Sequence, residues 1–99
     1  MTAPMRATII PADTFCSVDG VGYVGVDMTT VNPTVHAVQW YGTHGEVESQ
    51  DPLTGKMASN DAISSLDSFE LVLESYWQIR AAADAEQQAM IDEQTIIEV

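Results

Sequence analysis

The sequence predicts an α+β fold, with a small antiparallel sheet of hairpins over residues 6–48 packed by a C-terminal amphipathic helix over residues 67–93. Three observations predict it. The hydrophobic pattern is strand-like in the first half and helix-like in the second, with no βαβ alternation between them. Asp19-Gly20 stands between apolar flanks, the strongest short hairpin signal. A capping pattern then precedes a long apolar stripe at 3-4 spacing. Ninety-nine residues allow one domain, residues 1–99, with a loop at 49–65 and an apolar tail at 94–99.

Taken in order, Arg6 to Ile10 reads as a first strand, stopped by Pro11, which has no N–H to give a ladder. Phe15–Val18 and Val21–Val24 flank Asp19-Gly20 as a hairpin, because a type I′ turn needs positive φ at both central positions. Gly22 and Gly25 mark a bulge or a close backbone approach. Asn32-Pro33 breaks the chain, and Val35–Tyr41 is a longer strand rich in β-branched and aromatic residues. Gly42 to Gly45 turns it back into Glu46-Val47-Glu48, whose acids suit an edge or a wet face. Asp51-Pro52, Thr54-Gly55 and Asn60-Asp61 give residues 49–62 the chemistry of a loop.

The helix is expected to start with Asp67 as N-cap, Glu70 completing a capping box, and Leu66 with Leu71 as a hydrophobic staple. Phe69, Val72, Leu73, Tyr76, Ile79 and Ala83 build one apolar face. Beyond Ala83 helix propensity stays high while the apolar stripe thins, so that stretch either projects into solvent or packs on another chain. Phe69, Tyr76, Ala83 and Met90 recur every seven residues, but Glu86 interrupts the second row, which disfavours an autonomous coiled coil. Thr95-Ile96-Ile97-Glu98-Val99 ends the sequence with β-branched apolar residues, suited to adding onto a neighbour's sheet edge.

Fifteen acids oppose three bases, a net charge of −12. Residues 1–45 carry Asp13, Asp19 and Asp27 against Arg6, so the other twelve acids, against Lys56 and Arg80, lie in the second half. This balance argues against direct nucleic-acid binding, which needs clustered Lys and Arg, and against an anionic membrane surface. No apolar run is long enough for a membrane span, and the start, Met1 to Arg6, does not read as a signal peptide. A lone cysteine, Cys16, fits folding in a reducing cytoplasm.

No residue set points to catalysis, a cofactor or a metal. Cys16 with His36 lacks an activating neighbour, and Cys16, His36 and His44 have no paired spacing for zinc. Asp51, Asn60 and Asp61 do not form a calcium loop. Gly20-x-Gly22-x-x-Gly25 has the spacing of a dinucleotide fingerprint but opens no helix. Glu46 and Glu48 point the same way on a strand, as a solubilising edge. Of Trp40 and Tyr41, either one ring enters the core and the other is an exposed anchor, or both are partly buried against the helix. The partner-binding candidates are therefore Trp40, Tyr41, Met90, Ile96, Ile97 and Val99.

The segments Arg6 to Asp13, Val18-Asp19-Gly20-Val21-Gly22-Tyr23, Val35-His36-Ala37-Val38-Gln39-Trp40-Tyr41-Gly42 and Gly45-Glu46-Val47-Glu48 carry a resemblance. Together they resemble a family of small proteins of tailed bacteriophages and prophages, encoded among the tail genes close to the tail fibre. Members open with a similar I-I-P-A-D strand and V-D-G-V hairpin, continue through an H-A-V-Q-W strand with a G-E-V-E return, and end in an alanine-rich helix. The likeness covers residues 5–50 well and residues 51–99 only in type. It implies a structural virion component that binds the tail fibre, the baseplate or another copy of itself. Such a protein is made in the host cytoplasm and is not an enzyme. A tail-fibre assembly chaperone absent from the virion is the alternative the resemblance leaves open. From charge alone, an acidic mimic of nucleic acid that inhibits a host DNA-binding protein is a third class, although the acids here decorate the polar side of an amphipathic helix.

Overall fold

The computed structural model describes residues 5–97, and side chains as far as Asp92. Six strands form one antiparallel sheet: β1 (Ala7–Ile10), β2 (Phe15–Val18), β3 (Val21–Tyr23), β4 (Val35–Trp40), β5 (Gly45–Ser49) and β6 (Asp61–Ile63). Their spatial order is β3-β2-β1-β4-β5-β6, and the chain continues into one helix, α1 (Glu70–Ile97). The fold is α+β, as the two periodicities require.

Alternation builds the core face of the sheet. Ile9 lies beside Cys16 on one side and Val38 on the other, and Ala7 lies between Val18 and Trp40. All six side chains are buried, and Phe69, Val72 and Tyr76 of the helical segment close over them. Met28 and Val31, from the segment joining β3 to β4, pack at the margin. The opposite face carries Thr8, Phe15, Gln39, Glu46 and Glu48, and among the described residues no α-helix covers it. There the Phe15 ring lies so close to Gly22 that a Cβ at position 22 would stand 2.7 Å from it. That contact is the close approach expected of this glycine. The Asp19-Gly20 turn is of type I′, with φ of 51° and 85°, and it pairs Val18 with Val21.

Several expectations are corrected. The second strand ends at Tyr23 and leaves Val24 exposed. Residues 49–65 are not all loop: Gln50 bridges Met57, and Asp61–Ile63 pairs with β5. β5 is therefore internal, and Glu46 and Glu48 sit on a wet face rather than an edge. In β4 the register shifts between Val35 and Ala37, so His36 occupies a bulge.

The helix start also differs. A single 3-10 turn, Asp67–Phe69, precedes α1, and its cap is Leu66 without a side-chain hydrogen bond. The Glu70 N–H donates to the Asp67 carbonyl rather than to its side chain, and the Asp67 N–H approaches Ser65 Oγ at 3.4 Å. No capping box forms, because the tighter turn places Glu70 at the helix entry. Leu66 packs against the core while Leu71 is exposed, so the staple is absent as well. At the other end α1 runs to Ile97 rather than stopping at 93, so the expected tail is helical at Ile96 and Ile97 rather than an extended strand.

The sheet is shorter than its helix. From Glu70 to Ile97 the helix has 28 residues, about 42 Å at 1.5 Å per residue. Among the described side chains the last half-buried one along it is Ala83, and every one from 84 to 92 is exposed. This projection gives the chain extents of 60 × 36 × 18 Å and a radius of gyration of 16.9 Å, against about 13 Å for a compact domain of this size.

Candidate functional site

The distal helix is a surface that the fold leaves without a packing role over residues 84–92. Within it Met90 is 64% exposed in a stretch that also carries Asp84, Glu86 and Asp92, and Gln88 donates to Asp92 at 3.1 Å on the face opposite Met90. No basic residue stands in the last turn of the helix. Acids near a helix C-terminus oppose the macrodipole, so this end lacks the cations that ordinarily stabilise it.

Where α1 leaves the sheet, an aromatic group marks the junction. Trp77 is 45% exposed, with its ring edge-on to buried Tyr76 at 5.1 Å. The Arg80 guanidinium lies 5.1 Å from the Trp77 ring centroid. A half-exposed Trp held between an aromatic and an arginine has the composition of an interface anchor. Trp77 is not among the sequence-based candidates, although its position carries a signal. Trp77 falls outside the row Phe69, Val72, Tyr76, Ile79 and Ala83, so an amphipathic helix must turn it from the core.

The other candidates separate in space. Trp40 is only 8% exposed and is a core residue, so it is corrected as a partner-binding candidate; Tyr41 is 39% exposed at the end of the strand. One ring enters the core and its neighbour faces out, as strand alternation requires. Tyr41 meets Arg6 at 5.7 Å and His44 at 5.4 Å. It borders a 320 Å³ hollow on the uncovered sheet face, floored by Thr8, Ser17 and Gln39. The Thr8 hydroxyl donates to Gln39 Oε1 at 2.9 Å, so that floor is already internally hydrogen-bonded. Met90 lies on the projecting helix, remote from the strand that carries Tyr41. Val99 lies outside the described residues, as do the side chains of Ile96 and Ile97.

Electrostatics at the remaining groups follow from local contacts. Burial pushes the Cys16 thiol up to about 11, which keeps it protonated and poorly nucleophilic at neutral pH. His36 is exposed on β4, two strands from Cys16 and about 10 Å away across the sheet. The hydroxyl and then the backbone N–H of Thr29 donate to Asp27 and hold its carboxyl below the ordinary range. The Leu53 N–H does the same for Asp51. Among the described residues no three His, Cys, Asp or Glu gather as a metal-binding group, and no helix is long and apolar enough to cross a membrane.

What the arrangement offers chemically is surface: a projecting acidic helix with an exposed methionine, rooted at a tryptophan–arginine pair. Compared with known proteins, the chain matches no family model, no curated protein and no solved structure.

Proposed function

We propose that this chain is a non-enzymatic tail protein of a tailed bacteriophage, made in the host cytoplasm and carried in the virion, where it docks on the tail fibre or baseplate. The phage reading rests on the resemblance carried by the strand and hairpin segments between Arg6 and Glu48. The docking reading rests on one observation: α1 outruns its sheet, so residues 84–92 are exposed with Met90 among them. A solvent-exposed helical extension gains nothing for the isolated domain beyond its own propensity, whereas a partner groove would bury Met90 and shield the acids. The partner surface that fits is apolar at its centre and basic at its rim, since the helix segment from Leu66 to Glu93 has seven acids against Arg80.

Tails purified from phage carrying the full-length gene, and from phage lacking codons 84–99, test both halves. The expected result is the full-length protein in washed tails, and a soluble, folded truncated protein that is missing from them. Normal infectious particles from the truncated gene would overturn the docking mechanism. A full-length protein absent from tails yet required for fibre maturation would replace the virion component by an assembly chaperone.

A further inference from the structure

Between Gln50 and Met57 the chain forms a stiff projection rather than a loose loop. Asp51 accepts from the Leu53 N–H at 2.8 Å and gives its carbonyl to the Gly55 N–H at 2.8 Å, while its own N–H donates to Lys56 O at 2.9 Å. Gln50 Nε2 adds a bond to Gly55 O at 2.9 Å. Pro52 fixes the backbone at the start of the turn. At the tip Leu53 is 93% exposed, the most exposed large apolar side chain among those described. Ordering a loop to hold a leucine in water carries an entropic cost with no return inside this domain, and it removes that cost from a later binding event.

At the base of the same projection lies an open groove of about 610 Å³, with Thr34, Gln50, Pro52, Met57 and Ala58 in its walls. Asp51 and Lys56 stand at its margin with opposite charges. They are the only Asp, Glu, Lys or Arg within residues 49–60, and residues 28–45 contain none. In a chain of net charge −12, the surface that the groove shares with the segment before β4 is locally neutral. Two copies of an acidic chain repel through most of their surfaces, and this neutral region is where contact between them costs least.

We propose that the Leu53 projection of one copy seats in the Met57–Ala58 groove of a second copy, the two exchanging leucines across a two-fold axis. A projection beside the groove that receives it is what an isologous contact requires, because each copy then supplies the same knob and the same hole. The two-fold arrangement also sets Lys56 of each copy against a margin that carries Asp51 of its mate. The contact is small, so it gives a weak dimer that becomes significant when many copies are held close together. This proposal does not depend on the phage reading.

Sedimentation velocity of the full chain, from about 10 µM to about 1 mM, tests it. The expected result is a monomer–dimer equilibrium that strengthens with added salt, as screening relieves the like-charge repulsion. Leu53→Asp, at an exposed position that leaves the melting temperature unchanged, is expected to lower the association constant at least about tenfold. Ala58→Lys in the groove is expected to do the same, and the two variants mixed together are expected to pair with each other. Met90→Asp is expected to leave dimerisation intact. A wild-type chain that stays monomeric throughout would overturn the proposal. So would an unaltered dimer in Leu53→Asp, a failure of the mixed variants to pair, or a dimer abolished by Met90→Asp.

Discussion

The phenol of Tyr76 spans from the helix to the start of β3, donating to the Val21 carbonyl at 2.6 Å. Its oxygen also accepts from Arg80 at 3.2 Å, and its ring, wholly buried, meets Tyr23 at 5.9 Å. One side chain thus ties α1 to the Asp19-Gly20 hairpin by packing and by a hydrogen bond. A buried hydroxyl is tolerated in this core because it both donates and accepts.

Tyr76→Phe keeps the ring and removes that bond. It should lower the unfolding free energy by about 1 kcal/mol, read from urea titration at unchanged slope. An unchanged midpoint would show that water replaces the bond without loss.

Gly20→Val places a β-branched residue at a φ of 85°. The left-handed conformation costs an ordinary L-residue about 1–2 kcal/mol, and a branched Cβ adds to it. For a domain of this size the melting temperature should fall by at least about 4 °C in a calorimetric scan. A variant melting with the parent would refute the turn.

Val72 and Leu73 are adjacent but not equivalent, since Val72 is fully buried and Leu73 is only partly so. Val72→Ala should cost about 2 kcal/mol despite removing fewer atoms, and Leu73→Ala about 1 kcal/mol. The reverse ranking in denaturant titrations would mean that the helix is rotated about its axis.

Asp51 has a folded pKa below 3.8, chiefly because the Leu53 N–H bonds its carboxylate. A depressed carboxyl pKa stabilises the folded loop above the unfolded value, and that contribution disappears as pH falls through the folded value. Amide exchange at Leu53 should therefore stay protected at pH about 5, above the ordinary carboxylate range, and speed up beyond the intrinsic pH trend only as pH falls through the depressed folded value. Asp51→Asn should reduce the protection at neutral pH and remove its dependence on acid. Identical profiles for the parent and Asp51→Asn would exclude the carboxylate as the clamp.

The hairpin and the core stripe were legible because each is encoded locally. Asp19-Gly20 permits one kind of turn, and Phe69, Val72 and Tyr76 keep helical spacing. The β6 strand was not legible: Asp61-Ala62-Ile63 contains too few large apolar residues to show alternation, and it exists because the β5 edge is there to pair with it. The helix entry departs from its local pattern for a related reason. Asp67 and Glu70 have cap-box spacing, but packing of Leu66 and Phe69 draws the first turn into 3-10 geometry. The position of β1 between β2 and β4 is a long-range choice that no local pattern contains. At the surface, alternation left open which of Trp40 and Tyr41 faces out, whereas Met90 could be read from the thinning stripe. The rigidity beneath Leu53 could not, since it depends on which loop groups find each other.

The helix emerges from one side of the sheet, and that placement has a mechanical meaning. α1 lies against β2 and β3, and β3 is the edge strand. Packing and the Tyr76 hydrogen bond join α1 to that hairpin, whereas its backbone runs back through Asp67–Phe69 to β6 at the opposite edge of the sheet. A pull on its far end therefore loads the Tyr76 contact first and, once that yields, passes along the backbone to β6. A tether of this kind engages the two edges of the sheet in turn, and the inner strands remain as the template on which they close again.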